Sequence, residues 1–245
     1  MAKIDFADSD ALCRWVAEQS PACLISFSGG KDSMGAWLQC RRFFDSVHLV
    51  YMYLVPGLEI EEETVAYFEQ AMNTRILRLP HPSLYRWLYS CTLQAPENLA
   101  SIEAAIADGR LTMFDYDDVF EVATKAFGLP DDTYTAVGVR AVDSPNRWSA
   151  IKQYGAVNET RRSFYPIYDW RKDRLLDEIR QSGLSLPPEY RLFGRSFDGI
   201  DFRFLQPLKE HRPADYARIL EWFPLAELEI KRIEYRSRYY AENQP

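Results

Sequence analysis

The stretch Cys23-Leu24-Ile25-Ser26-Phe27-Ser28-Gly29-Gly30-Lys31-Asp32-Ser33 decides the fold class of this chain. Its apolar first half predicts a buried strand, and its second half predicts a glycine turn that opens a helix over Ser33 to Phe44. Gly29 and Gly30 can adopt backbone angles that side chains forbid, and they let a ligand approach the main chain closely. Because successive N–H groups at such a turn and the helix dipole attract anions, the stretch predicts a phosphate-binding loop.

The polar residues of this loop have separate predicted roles. Ser28 and Ser33 offer hydroxyl donors, and Lys31 offers a positive charge for phosphate. Asp32 either orients the loop or helps to hold a Mg²⁺ ion that the phosphates also bind. The loop is not a Walker loop, because the G-x-x-x-x-G-K-[ST] spacing is absent.

Composition limits the class of protein. The chain has 245 residues, 47% of them hydrophobic, and a formal net charge of −7. It has no apolar run long enough to span a membrane and an acidic start without an apolar signal core, which predicts a cytoplasmic protein without a membrane partner. The four cysteines form no C-x-x-C pair, so neither a zinc site nor a redox pair is expected, and they fit reduced, mostly buried thiols.

Strand and helix patterns alternate along the first two thirds of the chain. Strands are predicted at Ala22–Phe27, Val47–Leu54, Thr74–Leu79 and Thr133–Val139, with helices between them. This alternation predicts an α/β fold with an open, mainly parallel sheet flanked by helices. We expect a nucleotide-binding domain over residues 1–182, with a helical insert at about 94–130, and a loop and mostly helical extension over residues 183–245.

A second polar loop, Gly138 to Arg147, follows the strand that ends near Val139. Because ligands bind beyond the carboxyl ends of parallel strands, this loop and the glycine loop are expected to face the same crevice. Arg140 and Arg147 can make bidentate contacts with phosphate or carboxylate. Asp143 either orients one of these arginines or takes part in metal binding.

These motifs together resemble a known family. SGGKDS resembles the PP-loop of the adenine nucleotide alpha-hydrolase superfamily, which includes the N-type ATP pyrophosphatases and the phosphoadenylyl-sulfate (PAPS) reductases. Gly138, Arg140, Asp143, Ser144 and Arg147 match the G-x-R-x-x-[E/Q/D]-S-x-x-R element of PAPS reductase-like proteins. Further matches are Tyr165-Pro166-Ile167-Tyr168-Asp169-Trp170 and, more loosely, Pro56-Gly57-Leu58-Glu59 with Glu62. The resemblance covers about Ala22 to Ser182.

The sequence departs from the pattern of this family at positions that limit which reactions the chain can catalyse. Val55-Pro56-Gly57 stands where the family has D-T-G, and Phe193 to Gly199 stands where it often has an Arg-x-Gly-Cys segment. No cysteine follows Cys91, so the nucleophile for thiol-based reduction is missing from that half of the chain. We therefore expect neither PAPS reduction nor iron–sulfur-dependent sulfur insertion by this chain acting alone.

The resemblance then implies ATP cleavage between the α and β phosphates, which adenylylates an unknown acceptor and releases pyrophosphate. The implied nucleotide-binding residues are Phe27, Ser28, Gly29, Gly30, Lys31, Asp32, Ser33, Leu54, Gly138 and Arg140, with Phe27 and Leu54 flanking adenine. The implied catalytic residues are Lys31, Asp32, Arg140 and Arg147, with Asp32 as a Mg²⁺ ligand. Arg195 and Asp198, in the loop GRSFDG, are expected in a lid.

Other hypotheses stay open at this stage. The chain could be a non-catalytic subunit that binds an adenine nucleotide within a nucleic-acid modification or defence complex. The segment Lys209 to Tyr240 mixes basic and aromatic residues, which favours either nucleic-acid binding or a packed pair of amphipathic helices. The acceptor, the nucleic-acid or protein partner, the exact nucleotide and the oligomeric state are not determined by the sequence.

Overall fold

The computed structural model describes the backbone of residues 5–242 and the side chains of residues 5–239. The chain forms two compact units, each discontinuous in sequence. The first unit comprises Met1–Met52, Val65–Leu79 and Tyr116–Pro187. The second comprises Tyr53–Thr64, Pro80–Asp115 and Pro188–Pro245. The segment that follows residue 187 therefore shares its unit with two earlier segments of the chain.

Six strands and twelve helices make up the described part of the chain, together with one 3-10 turn, η1 (Ala141–Asp143). The strands are β1 (Ala22–Ser26), β2 (Ser46–Tyr53), β3 (Ile76–Pro80), β4 (Tyr134–Val137), β5 (Val157–Asn158) and β6 (Ser163–Phe164). The helices up to β4 are α1 (Ser9–Gln19), α2 (Lys31–Cys40), α3 (Glu59–Met72), α4 (Pro82–Tyr89), α5 (Pro96–Ala107) and α6 (Tyr116–Phe127). The later helices are α7 (Pro145–Tyr154), α8 (Lys172–Ser182), α9 (Pro188–Phe193), α10 (Phe202–His211), α11 (Pro213–Trp222) and α12 (Glu227–Glu242).

The strands form one sheet in the order β3-β2-β1-β4-β6-β5. β1 lies between β2 and β4 and runs parallel to both, β4 pairs in parallel with β6, and β6 pairs antiparallel with β5. The predicted α/β class with an open, mainly parallel sheet and a helical carboxyl-terminal part is confirmed. The short β5–β6 hairpin was not anticipated, because its two-residue strands are too brief to give an alternating pattern.

Close packing fixes α2 in the first unit. Cys23, Leu24 and Ile25 of β1 are fully buried, as expected for a central parallel strand. On α2, a Cβ added at Gly35 would lie 2.4 Å from Leu175 Cδ1 of α8. Since real Cβ atoms do not approach so closely, Gly35 is what lets α8 pack against α2.

Three of the four cysteines meet in the core of the first unit. Cys13, Cys23 and Cys40 are buried free thiols, from α1, β1 and α2 respectively. Burial raises the pKa of the Cys40 thiol, and hydrogen bonds to Cys13 and Cys23 raise it further. Cys40 is therefore a protonated thiol of the core. Among residues 5–242, no group of three or more His, Cys, Asp or Glu side chains is arranged to hold a metal ion.

The second unit has its own apolar core, built largely from its carboxyl-terminal helices. Its fully buried members include Val55, Phe204, Leu205, Leu208, Ile219, Phe223 and Ala226. The buried carboxylate of Asp215 accepts hydrogen bonds from the backbone N–H groups of Glu59 (2.6 Å) and Ile60 (3.2 Å), so it caps the start of α3. This cap satisfies two N–H groups that have no partner inside the helix.

Both ends of α2 differ from the sequence prediction of a helix over Ser33 to Phe44. The helix runs over Lys31–Cys40, so Lys31 and Asp32 lie in its first turn. α10 contains Pro207 in its interior, where proline normally ends a helix, and Asp201 caps its start by accepting the N–H of Arg203. Within the described residues, no helix is both long and apolar enough to cross a bilayer.

A buried carboxyl group in the second unit has an unusual environment. The Glu189 side chain on α9 is fully buried, its Oε2 accepts one N–H from Phe197 at 3.4 Å, and its Oε1 has no hydrogen-bond partner among the described residues. Burial raises the pKa of Glu189 to about 8, and the nearby charge of Asp198 adds to this shift. The folded protein therefore holds a proton on Glu189 at neutral pH that the unfolded chain releases.

This environment predicts a pH dependence of stability. Between about pH 4.5 and about pH 8 the folded state binds the extra proton, so the free energy of unfolding falls as pH rises. The contribution amounts to at most about 1.4 kcal/mol per pH unit. Replacing Glu189 by Gln should remove this slope and make the protein more stable near pH 8 than the parent. Urea denaturation across this range checks it, and an unchanged slope in Glu189→Gln would contradict it.

Candidate phosphate-binding site

The glycine loop leaves β1 and turns directly into α2. Phe27, directly after β1, still pairs with β2, because its N–H donates to the Val50 carbonyl at 2.9 Å. Gly29 then adopts a φ of +70°, a left-handed angle that favours glycine, and Gly30 takes the N-cap position of α2 without a side-chain cap. The first N–H groups of a helix have no partner within it, so this end of α2 presents donors to an anion.

Ser33 holds the loop in shape. Its buried hydroxyl donates to the Gly30 carbonyl at 2.9 Å and accepts the N–H of Ser28 at 3.3 Å. Ser28 Oγ in turn accepts the N–H of Gly30 at 3.4 Å. The two serines that the sequence predicts as phosphate donors are therefore partly committed to the loop itself. Their contact with a phosphate stays a prediction.

The second polar loop meets the first turn of α2 at Gly138. A Cβ at Gly138 would lie 2.6 Å from both the carbonyl carbon and the carbonyl oxygen of Asp32, and 2.8 Å from the Ser33 nitrogen. Only a residue without a side chain permits this approach of one backbone to the other. The expectation that the two loops lie together is met within the first unit.

Arg140 connects the two loops through charge. Its side chain is only 4% exposed, and its Nε donates to Asp32 Oδ1 at 2.7 Å. Its Nη2 donates to Asp143 Oδ1 at 2.6 Å, while Nη1 is buried without a hydrogen-bond partner among the described residues. Because a buried donor without a partner is costly, a ligand oxygen that bound Nη1 would offset this cost.

The remaining charges complete a cluster around Arg140. Asp143 Oδ2 accepts from Arg147 Nη1 at 2.9 Å, so Asp143 bridges the two arginines. Lys31 Nζ lies 3.1 Å from Asp32 Oδ2. The cluster holds three cations and two carboxylates, which leaves it with one net positive formal charge. An excess of positive charge beside a helix N-terminus suits a phosphate group.

The contacts of Asp32 and Asp143 distinguish between the two roles predicted for them, which are orienting their neighbours and binding Mg²⁺. Both oxygens of Asp32 are engaged, by Arg140 and Lys31, and both oxygens of Asp143 are engaged by arginines. A Mg²⁺ ion bound directly to either carboxylate would displace one of these contacts. The contacts therefore favour an orienting role for Asp32 and Asp143, and the Mg²⁺ role of Asp32 stays a prediction.

Other residues singled out from the sequence are placed as follows. Phe27 is buried in the first unit with its ring edge-on to Phe68, so its ring already belongs to the core. Leu54 is buried in the apolar core of the second unit. Arg195 and Asp198 of the second unit form an ion pair with each other. The adenine contacts of Phe27 and Leu54 and the lid function of Arg195 and Asp198 stay predictions.

Proteins similar to this chain are found among solved structures. No family model and no curated protein matches the chain. Three similar solved structures are an NH3-dependent NAD synthetase from Campylobacter jejuni, a U34-tRNA thiolase NcsA from Methanococcus maripaludis with its [4Fe-4S] cluster, and a predicted subunit of tRNA methyltransferase from Methanocaldococcus jannaschii.

The likeness to these structures is distant. The NAD synthetase is 14% identical, with 97% of this chain and 96% of that chain covered and a TM-score of 0.42. The thiolase is 13% identical, with 88% and 77% covered and a TM-score of 0.40. The methyltransferase subunit is 15% identical, with 80% and 91% covered and a TM-score of 0.32. Scores this low support no inference about function.

The close contact at Gly138 yields a first test of the site. Gly138→Ala forces a methyl group into the backbone of Asp32, which should destabilise the protein by about 1–3 kcal/mol and weaken nucleotide binding. Gly199→Ala is the matched control, since its added methyl would meet nothing nearer than 3.5 Å. Thermal denaturation and nucleotide titration would measure both. Equal effects of the two substitutions would show that the contact does not matter.

The two arginines on Asp143 yield a second test. Arg140→Lys removes the guanidinium that bridges two carboxylates, so the buried pairing breaks and we expect a loss of about 3 kcal/mol in unfolding free energy. Arg147 is 49% exposed, so Arg147→Lys should cost less than about 1 kcal/mol. Urea denaturation of both variants checks the difference, and the reverse order of effects would refute it.

Proposed function

We propose that this chain binds ATP, as its magnesium complex, and cleaves it between the α and β phosphates to adenylylate an acceptor. The observation that supports the proposal is the joint of the glycine loop and the second loop. There, Gly138 contacts the first turn of α2 and Arg140 is fixed beside Asp32. This joint gathers a helix N-terminus, Lys31 and an arginine nitrogen without a partner at one place in the first unit.

The reaction needs positioning and charge neutralisation and no nucleophile from the protein. An oxygen of the acceptor attacks the α-phosphorus and forms a new P–O bond, and any proton on that oxygen passes to solvent. The bond between the α-phosphorus and the oxygen that bridges to the β-phosphorus breaks. Its electron pair leaves with pyrophosphate. Magnesium arrives with the phosphates as part of the substrate.

Each residue of the cluster has a role in this scheme. The N–H groups at the start of α2 hold the β and γ phosphates, with Gly29 and Gly30 allowing their close approach. Lys31 neutralises the charge that develops on the leaving pyrophosphate. Arg140 donates through Nη1 to a phosphate oxygen, and Asp143 holds Arg140 and Arg147 in place. This assignment needs no thiol, which agrees with the lack of cysteine beyond Cys91.

A second candidate function is a nucleotide-binding subunit without turnover. One observation favours it: both oxygens of Asp32 are engaged by Arg140 and Lys31, so no carboxylate of the cluster is left over to bind a metal directly. The sequence Val55-Pro56-Gly57 also lacks the acid that the family's D-T-G region carries. Tight binding of ATP without AMP or pyrophosphate, under every acceptor, would identify this function.

The proposal predicts the effect of removing Lys31. With ATP, Mg²⁺ and a cell metabolite extract, the purified chain should produce pyrophosphate, and also AMP once a second nucleophile in the extract attacks the adenylylated acceptor and displaces AMP. Lys31→Ala should reduce pyrophosphate release at least about 100-fold, because an interaction with the developing charge is lost. Lys125→Ala removes a surface lysine that pairs with Glu121 on α6, and it should leave the rate unchanged. Equal pyrophosphate release by Lys31→Ala and the parent would disprove the assignment.

A further inference from the structure

The last helix of the second unit, α12, packs on the core of that unit only near its start. Ile230 is buried in the apolar core. Every described side chain from Lys231 to Tyr239 is exposed except that of Ile233, which is half-buried. Ile230 and Ile233 are three residues apart, so they define the face of the helix that is turned to the core.

The opposite face of α12 carries apolar groups where a surface helix normally carries polar ones. Leu228 is 50% exposed, Tyr235 is 74% exposed and Tyr239 is 54% exposed. Arg232 lies among them, with a side chain that is 68% exposed. Intervals of four, three and four residues place these four side chains on one stripe along the helix. Single exposed apolar residues are ordinary on a protein surface, whereas a contiguous stripe marks an interaction site.

This stripe has the spacing of a coiled-coil seam, in which residues at intervals of four and three form the contact line between two helices. Its intervals of four, three and four are the same in both directions. Two copies that run antiparallel therefore place Leu228 of one copy opposite Tyr239 of the other. In the same register, Arg232 of each copy lies opposite Tyr235 of the other, where a guanidinium and a tyrosine ring form a cation–π contact.

The charges on one edge of the stripe favour the antiparallel arrangement. Glu229 and Arg236 lie seven residues apart, so they flank the same edge. In an antiparallel pair, Glu229 of each copy lies beside Arg236 of the other, and two attractive contacts form. A parallel pair would instead bring Arg232 of one copy against Arg232 of the other, which is repulsive.

The other edge of the stripe is basic but partly compensated. Lys231 and Arg238 face each other across it in the antiparallel pair, and Lys231 Nζ already lies 3.3 Å from Glu227 Oε2. Residues 227–239 contain four basic and three acidic side chains, so this part of the helix carries only one net positive charge. A polyanion would therefore be attracted weakly, whereas a second copy of the helix offers both signs of charge in matching places.

We propose that the chain forms a two-fold symmetric dimer in which α12 of each copy packs antiparallel on α12 of the other. The contact is isologous, since the same stripe serves both copies. A strip that is one helix wide and about 24 Å long is smaller than the interface of a stable dimer, so we expect a Kd of the order of 100 µM. The contact belongs to the second unit and does not depend on the function proposed for the first.

Sedimentation equilibrium of the full chain over a range of about 5 to 500 µM measures this association. The parent should pass from monomer to dimer across that range. Tyr235→Ala removes a ring from the middle of the stripe and should weaken the dimer about ten-fold, as truncation of a central tyrosine does at other interfaces. Tyr154→Ala is the matched control, because Tyr154 is 69% exposed on α7 of the first unit. This control should dimerise like the parent.

Reversal of the flanking charges tests the direction of the two helices. Glu229→Arg and Arg236→Glu each place like charges together at two points, so each variant alone should dimerise about ten-fold more weakly than the parent. An equimolar mixture of the two variants should regain the affinity of the parent, because each copy then supplies the charge that the other lacks. Thermal denaturation checks that both variants fold. Glu229 also pairs with Arg232, and if Glu229→Arg unfolds the second unit, Tyr235→Ala decides alone.

Three results would overturn the dimer. The first is a parent that stays monomeric up to about 500 µM. The second is a Tyr235→Ala variant that dimerises like the parent, which would place the interface elsewhere on the chain. The third is a mixture of the folded charge variants that dimerises no better than either alone. Growth of the parent beyond a dimer would also contradict it, because an isologous contact closes on itself.

Discussion

The ion pair between Arg140 and Asp32 joins two loops that are 108 residues apart in the chain. It forms only because β4 lies next to β1 in the sheet and because Gly138 lets the end of β4 reach the first turn of α2. Arg140 is buried, so its charge must be compensated, and Asp32 and Asp143 provide this at 2.7 and 2.6 Å. The position of Arg147 depends on the same compensation, because Asp143 binds both arginines.

Hydrogen bonds within the protein keep the glycine loop and the arginine cluster in place without a ligand. Ser33 and Ser28 hydrogen-bond within the glycine loop, and Asp143 holds both arginines. What remains for a ligand is the N-terminal end of α2 and the Nη1 nitrogen of Arg140. Fixed donors of this kind cost little reorganisation when charge develops on a leaving group.

In the second unit, a side chain of the protein itself caps a helix N-terminus. The start of α3 is closed by the buried Asp215 carboxylate, which accepts the N–H groups of Glu59 and Ile60. These donors are therefore satisfied by the chain itself. Burial raises the pKa of Asp215, while the two N–H groups oppose this shift. The carboxyl-terminal helices thus form the core and caps of a unit, rather than an appended tail.

The sequence by itself determined the α/β class, the strand before the glycine loop, the loop residues and the second loop, because apolar periodicity and glycine, serine and arginine spacing are local properties. It placed the start of α2 two residues late, since Lys31 and Asp32 are polar and break the apolar pattern. Only the tertiary structure decided that Asp32 pairs with Arg140, that Cys13, Cys23 and Cys40 share one core, and that Trp148 stays exposed. Pairing and burial depend on strand order and on contacts between distant segments, and no local pattern encodes those.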